Sequence, residues 1–148
     1  MAANFFLGRR TLFAAGLALV GKPASAATPL RFDQLYGAWT VEGLRFSTEV
    51  EKLTGQEVAM RGFMAPPLKA EADFFVLSRE PMALCPFCSS NADWPADIVV
   101  VYLRRQATPV DATVPIETRG RLERGSWTDP ATGFVSQLRL RDAAFRTV

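Results

Sequence analysis

Alternating apolar and polar side chains predict β-strands along most of the chain. From Gln56 the pattern has a period of two, and residues 116–123 alternate in the same way between apolar and charged side chains. Residues 98–103 are apolar on both faces, which predicts a central strand. The predicted strands are residues 39–42, 58–64, 74–79, 97–103, 116–123 and 134–140.

Helices are predicted to be short. Residues 32–36 fit one helical turn. Thr48 and Glu51 have the spacing of a capping box, and Gly55 follows at the position where such a helix would end. Gly62 stands in the middle of a predicted strand, which indicates a bulge or the close approach of another backbone.

Five or six strands with one or two short helices in about 120 residues predict a mainly β fold. We expect a small, five- to six-stranded antiparallel barrel similar to the oligonucleotide/oligosaccharide-binding (OB) barrel, because closure protects the edges of a sheet of this size. A small β-sandwich is the alternative. Residues 27–148 are expected to form a single domain, since they contain no internal repeat and no low-complexity tract.

Residues 1–26 have the features of a secretory signal peptide. Arg9 and Arg10 form a charged region, residues 12–20 are apolar, and residues 23–26 end in small side chains. The paired arginines indicate the twin-arginine export route, with the general secretory route as the alternative. Because the apolar run is shorter than the roughly 20 residues that span a bilayer, we expect cleavage, a periplasmic protein and no stable membrane span. An uncleaved anchor is the other interpretation.

Cleavage would change the net charge of the chain. The full sequence has 17 basic and 15 acidic residues, and residues 1–26 hold three of the basic residues and no acid. The remaining chain has 14 basic and 15 acidic residues, a net charge of −1. Binding of nucleic acid through neutralisation of phosphates is therefore not expected.

The run Cys85-Pro-Phe-Cys88 contains the only two cysteines of the chain. In an oxidising compartment the pair is expected to form a structural disulfide that closes a small loop. A second interpretation is a redox pair, but a thioredoxin-like site needs the pair at the start of a helix in a βαβ unit, whereas these residues continue into a loop. A third is a metal site, because two thiolates supply half of a tetrahedral zinc site.

The sequence contains no histidine, so further metal ligands would be carboxylates or thioethers. The candidate carboxylates are Asp93, Asp97 and Glu80. Met64 and Met82 together with the cysteines would form an all-sulfur set, which suits Cu(I). Zn and Cu are therefore the candidate cofactors, although the pattern requires neither, and the alternative for the methionines is that they fill the core.

Trp94 and Trp127 are candidates for a ligand-binding surface, because each stands in a predicted loop near an aspartate. The alternative is that both pack in the core. Without histidine, Ser-His-Asp or Cys-His catalysis is impossible within this chain, and no glycine-rich phosphate loop is present. We therefore predict no enzymatic activity. Five arginines near the C-terminus are expected to lie on a solvated sheet face: Arg119, Arg121, Arg124, Arg139 and Arg141.

Residues 53–102 resemble a family of exported bacterial proteins of unknown function, and residues 120–148 resemble it more weakly. The matching features are Leu53-x-Gly55-x-x-Val58, Gly62-Phe63-Met64-x-Pro66, the apolar segment 74–77 and a cysteine before a proline-containing loop. The usual motif of that family is Gly-Tyr-Met-x-Pro-Leu. Here Phe63 replaces the tyrosine, and Pro67 is an additional residue before Leu68. The resemblance implies a barrel-like fold and export, and it implies no established activity.

These features together predict a non-catalytic periplasmic binding or accessory protein that acts through a protein partner or a small ligand. The alternative is a metal-binding accessory protein that uses Cys85 and Cys88. A thiol-disulfide protein is the second alternative.

Overall fold

The computed structural model describes residues 26–41, 43–67, 73–83 and 94–148, and the fold is mainly β. The described strands are β1 (Thr28–Pro29), β2 (Tyr36–Thr40), β3 (Gly43–Phe46), β4 (Glu57–Met64), β5 (Phe74–Ser78), β6 (Ile98–Leu103), β7 (Pro115–Thr128) and β8 (Val135–Thr147). A 3-10 turn (Phe32–Gln34) and the helix α1 (Thr48–Leu53) precede β4. None of the described ranges contains a helix that would span a bilayer. Residues 1–25 of the predicted signal peptide lie outside the described residues.

Each strand predicted from the sequence overlaps a strand of the structure. The last two are longer than predicted, because β7 and β8 form one long antiparallel hairpin. Its pairing extends from Ile116 opposite Thr147 to Thr128 opposite Val135. The pairing of the hairpin has register shifts near Gly120 and Gly125. These shifts interrupt the alternation of apolar and polar side chains, so the sequence pattern predicted strands that are too short.

The predicted helix begins one residue earlier than its capping box suggested. Ser47 is the N-cap, and its hydroxyl accepts a hydrogen bond from the Val50 N–H at 3.1 Å. Gly55 follows the C-cap with φ +84°, a conformation that favours glycine, as predicted. The Gly55 N–H donates to the Leu122 carbonyl at 2.8 Å, which ties the end of the helix to β7.

Six strands form one mixed sheet in the order β1-β4-β5-β6-β8-β7, and β2 and β3 form a separate antiparallel pair. Strand β4 also pairs with β7, so the pairings pass through β4, β5, β6, β8 and β7 and return to β4. The prediction of a purely antiparallel arrangement is wrong, because β1 is parallel to β4 and β6 is parallel to β8. Alternation along a strand reports which side chains share a face and does not report the direction of the neighbouring strand.

The apolar residues form two clusters on opposite faces of β5 and β6. The first cluster takes side chains from all five strands of the ring and from α1, and it includes Met64, Phe75, Leu77, Val99 and Val101. The second cluster consists of Ala65, Phe74, Val76, Ile98, Val100, Tyr102 and Phe134. Both strands are therefore buried on both faces, as the continuous apolar run of residues 98–103 predicted.

Candidate functional site

The predicted thiol site lies in the connection between β5 and β6. Cys85, Cys88 and Asp93 are outside the described residues. The base of the connection is described, and there the Arg79 N–H donates to the Asp97 carbonyl at 3.0 Å while the Ser78 hydroxyl donates to the Glu80 carbonyl at 2.8 Å. The connection joins β5 and β6, which are antiparallel neighbours, whereas the pair of a thioredoxin-like site lies in a βαβ unit, whose strands are parallel.

Both described ends of this connection lie against the second apolar cluster. Met82 and Trp94 are half-buried and pack on it, and Trp94 also contacts the first cluster. The Trp94 indole Nε1–H donates to the Tyr36 hydroxyl at 2.6 Å, and the Tyr36 ring stacks on Phe46 with centroids 5.5 Å apart. Burial of Tyr36 raises its pKa to about 12. The connection between β5 and β6, residues 79–97, carries both cysteines and is called the thiol loop below. Its C-terminal end is therefore tied to the β2–β3 hairpin.

Trp127 was predicted to stand in a loop, but it lies within β7 and packs on the same cluster, so three of the candidate residues contact one apolar cluster. Its ring meets Tyr102 edge-on at 5.3 Å. The Arg141 guanidinium lies 4.1 Å from the Tyr102 ring centroid and 4.2 Å from that of Trp127, which is the geometry of a cation between two aromatic rings. The Tyr102 hydroxyl donates to Asp129 Oδ2 at 3.3 Å, and burial raises the pKa of Tyr102. Trp127 is thus held by contacts within the chain.

The two candidate methionine ligands have different surroundings. Met64 is only 3% exposed and belongs to the first cluster, which supports the interpretation that it fills the core. Met82 is half-buried beside the start of the thiol loop. Within the described ranges, no group of three carboxylate, thiol or imidazole side chains could hold a metal ion.

The arginines of β7 and β8 do not form a uniformly solvated face. Arg139 is only 7% exposed, and it donates to Glu123 Oε2 at 3.1 Å and to the Gly125 carbonyl at 2.8 Å. Burial lowers the pKa of Arg139. Arg141 donates to the same Glu123 oxygen at 3.2 Å. A buried arginine with these partners stabilises the bend of the hairpin and is not available to a ligand.

Besides Glu123 with its two arginines, the structure contains a second cluster of ion pairs, which is centred on Glu117. The charged residues of the alternating run 116–123 are expected to face water, yet the side chain of Glu117 is only 9% exposed, because the side chains of Arg61, Arg119 and Arg146 cover it. Its Oε1 accepts from Nη2 of Arg119 and of Arg146, each at 2.9 Å, and its Oε2 accepts from Arg61 Nε at 3.2 Å. The cluster is assembled across three strands, and no spacing in the sequence indicates it.

Hydrogen bonds from these arginines, with Arg146 the strongest contributor, lower the pKa of Glu117 to about 2. The unfolded chain has the ordinary value near 4.5, so the stabilisation is fully present above that pH and is lost as the pH falls from 4.5 toward 2. We expect Glu117→Gln to lower the melting temperature at neutral pH, and the gap from the wild type to shrink as the pH falls through this window. Thermal unfolding followed by circular dichroism between about pH 7 and pH 2.5 measures the gap.

Glu57→Gln is the matched control, because Glu57 lies exposed on β4 and forms no ion pair with any residue that the structure describes. Its melting temperature should follow that of the wild type throughout. A gap between Glu117→Gln and the wild type that stays constant over the whole pH range would contradict the role assigned to the Glu117 carboxylate.

Comparison with protein-family models finds no match for this chain, and comparison with curated proteins finds none either. Among solved structures, the chain is similar to the crystal structure of a DUF3299 family protein from Pseudomonas aeruginosa PAO1 at 2.45 Å resolution. The two share 15% sequence identity with a TM-score of 0.54, over 83% of this chain and 97% of the other. At this identity the similarity shows a common fold, and it agrees with the resemblance to a family of unknown function.

Proposed function

We propose that this protein is a non-catalytic binding or accessory module of the periplasm, built on an OB-like barrel. The ring of pairings through β4, β5, β6, β8 and β7 supports the barrel, because an OB barrel consists of five strands whose pairings close or nearly close. The signal-peptide pattern of residues 1–26 supports export.

One observation carries the proposal: both described ends of the connection that holds the cysteines are fixed to the folded part of the chain. Strands β5 and β6 are buried on both faces, and the connection between them is closed at its base by the hydrogen bond between Arg79 and Asp97. Its ends are fixed by Met82 and Trp94. Loops held by a rigid scaffold are the usual carriers of recognition.

The binding partner is a protein that contacts this loop. In OB barrels the face of the second and third strands commonly binds the ligand. The corresponding strands here are β5 and β6. One face of these strands belongs to the first cluster, and the second cluster on the opposite face is covered by Met82, Trp94 and Trp127 from the same chain. A partner that contacts the thiol loop would also meet the exposed parts of these three half-buried side chains.

Photo-crosslinking in the periplasm tests the proposal. With p-benzoylphenylalanine in place of Ser89, inside the loop, we expect one discrete adduct of higher mass. The same replacement at Val41, which is fully exposed on the β2–β3 turn, is the matched control and should give none. The proposal fails if neither position gives an adduct, or if the purified protein reduces disulfides or hydrolyses esters faster than a Cys85→Ser/Cys88→Ser variant.

A metal-binding accessory role is the second candidate, and the position of Met82 favours it. Its thioether is half-buried at the start of the loop that carries both cysteines, so a third sulfur ligand for Cu(I) stands near the pair in the chain. Elemental analysis of exported protein separates the two functions. Zn or Cu near one per chain, lost in Cys85→Ser/Cys88→Ser, would favour the metal role, whereas equal and sub-stoichiometric metal in both proteins would exclude it.

A further inference from the structure

An open cleft of about 620 Å³ lies between the N-terminal segment 29–33 and strands β4 and β7. Pro29, Phe32 and Ala59 give it an apolar wall. Three arginines line it as well, Arg31, Arg61 and Arg79. Its volume is within the range of small-molecule sites, which is roughly 300–1,000 Å³, and sites of this kind combine apolar walls with a few polar groups.

The two carboxylates of the cleft are already saturated by arginines of the chain. Asp33 receives two hydrogen bonds from Arg31, at 2.9 and 2.8 Å, which is a bidentate pair. Glu117 is held by three arginines, as described above. Neither acid therefore offers a free negative charge to a cationic ligand.

The arginines, in contrast, keep donors to spare. Arg61 uses only its Nε in the bond to Glu117, which leaves the four N–H groups of its terminal nitrogens. Arg79 is exposed, and although its charge acts on nearby Asp33, its guanidinium lies within 4 Å of no carboxylate in the described part of the chain. The bond from Arg61 to Glu117 also restricts the directions that this guanidinium takes before a ligand arrives, which reduces the entropy lost on binding.

Charge is concentrated on this face. Around the cleft and the Glu117 cluster, five arginines stand against the two carboxylates of Asp33 and Glu117, a local excess of three positive charges. Residues 27–148 as a whole have a net charge of −1. The five are Arg31, Arg61, Arg79, Arg119 and Arg146. Such a local field attracts anions even though the protein overall does not.

We propose that this cleft binds a small organic anion, in which a carboxylate or phosphate group is joined to a short apolar part. Arg61 and Arg79 donate to the anionic group, and Pro29 and Phe32 contact the apolar part. The guanidinium fork matches both kinds of oxyanion, so the shared chemistry is a planar or tetrahedral anion with at least two acceptor oxygens. Arg79 lies at the base of the thiol loop, but the site needs neither the cysteines nor a protein partner.

Titration of the purified full chain, followed by calorimetry or by NMR of the arginine Nε–H groups, tests the proposal. The probes are hexanoate, hexyl phosphate and inorganic phosphate, with hexanamide as the uncharged equivalent of hexanoate. We expect saturable binding of hexanoate or hexyl phosphate, weaker binding of inorganic phosphate and none of hexanamide. The tighter binding of hexanoate or of hexyl phosphate shows whether the site prefers a carboxylate or a phosphate group.

Arg79→Gln should weaken binding by about tenfold or more, because it removes charged donors and breaks no ion pair of the described chain. Arg105→Gln is the matched control: it removes the same charge from an exposed arginine in a different cleft, beside Leu103 and Phe145, and should change the affinity by less than about twofold. The proposal is overturned if no anionic probe saturates, if hexanamide binds as tightly as hexanoate, or if both variants lose affinity equally. Unchanged melting temperatures of the two variants show that the comparison is between folded proteins.

Discussion

Replacing Gly62 with alanine is expected to lower the free energy of unfolding by about 3 kcal/mol. Gly62 lies on β4 where β5 crosses close to it, and an added Cβ would collide with the backbone carbonyl oxygen of Ser78. The same Cβ would come within 3.1 Å of the Phe32 ring and 3.2 Å of Leu77 Cγ. The carbonyl cannot move aside easily, because Ser78 pairs with Phe63 in the ladder between β4 and β5. Equilibrium unfolding in urea measures the change.

Gly37→Ala is the matched control for this substitution. Gly37 is also in a strand, β2, but there a Cβ would meet only the Arg45 carbonyl, at 4.0 Å, which is ordinary contact. We expect a change within about 0.5 kcal/mol, since alanine also restricts the unfolded chain and can offset small losses. Equal destabilisation by the two substitutions would show that the close approach of β5 to Gly62 is not the cause.

Replacing Phe134 with alanine is expected to lower the free energy of unfolding by about 4 kcal/mol, the middle of the range for a buried phenylalanine. Phe134 has no exposed surface and lies in the second apolar cluster, where its ring is 5.5 Å from that of Phe74. It follows the turn between β7 and β8, so it fastens the end of that hairpin to the outer face of β5 and β6. The loss would appear as a lower midpoint of urea unfolding, with an unchanged slope of the free energy of unfolding against urea concentration.

Phe145→Ala makes the same chemical change at a half-buried position. Phe145 packs at the margin of the first cluster, with an edge-to-face contact to Phe75 at 5.5 Å. We expect about half the destabilisation of Phe134→Ala. The ring of Phe145 buries less apolar surface in the folded protein, so less burial is lost, and water can fill the space that the ring leaves. A larger effect at Phe145 than at Phe134 would mean that the second cluster is not a true core.

The two proposed sites rest mainly on different apolar clusters. The thiol loop is anchored on the second cluster, so substitutions such as Phe134→Ala should disturb it. The arginine cleft is built mainly on β4, β7 and the N-terminal segment, whose packing belongs to the first cluster, and Arg79 at the base of the thiol loop completes it. A variant that loses anion binding while keeping the loop crosslink, or the reverse, would therefore show that the two sites act independently.

The candidate residues from the sequence were only partly brought together by the fold. Met82, Trp94 and Trp127 pack on one cluster although they are far apart in the chain. Met64 belongs to the other face of the same strands. The pattern of residues 58–64 already placed Met64 on one face with Val58 and Met60, but it could not say that Met82 would lie on the opposite side of β5.

The sequence by itself determined the positions of β4 to β8 and part of β2, and of the short helix and its terminal glycine; it missed β1 and β3. At Gly62 it indicated either a bulge or a close backbone approach, and the structure shows the close approach. These features depend on local steric and periodic requirements that each segment carries with it. Only the tertiary structure decided the parallel pairings of β1 with β4 and of β6 with β8, the closing contact of β4 with β7, and the burial of Glu117. A charged residue on an alternating strand is expected to face water, and Glu117 is covered because β4 and β8 bring Arg61 and Arg146 beside it from distant parts of the chain.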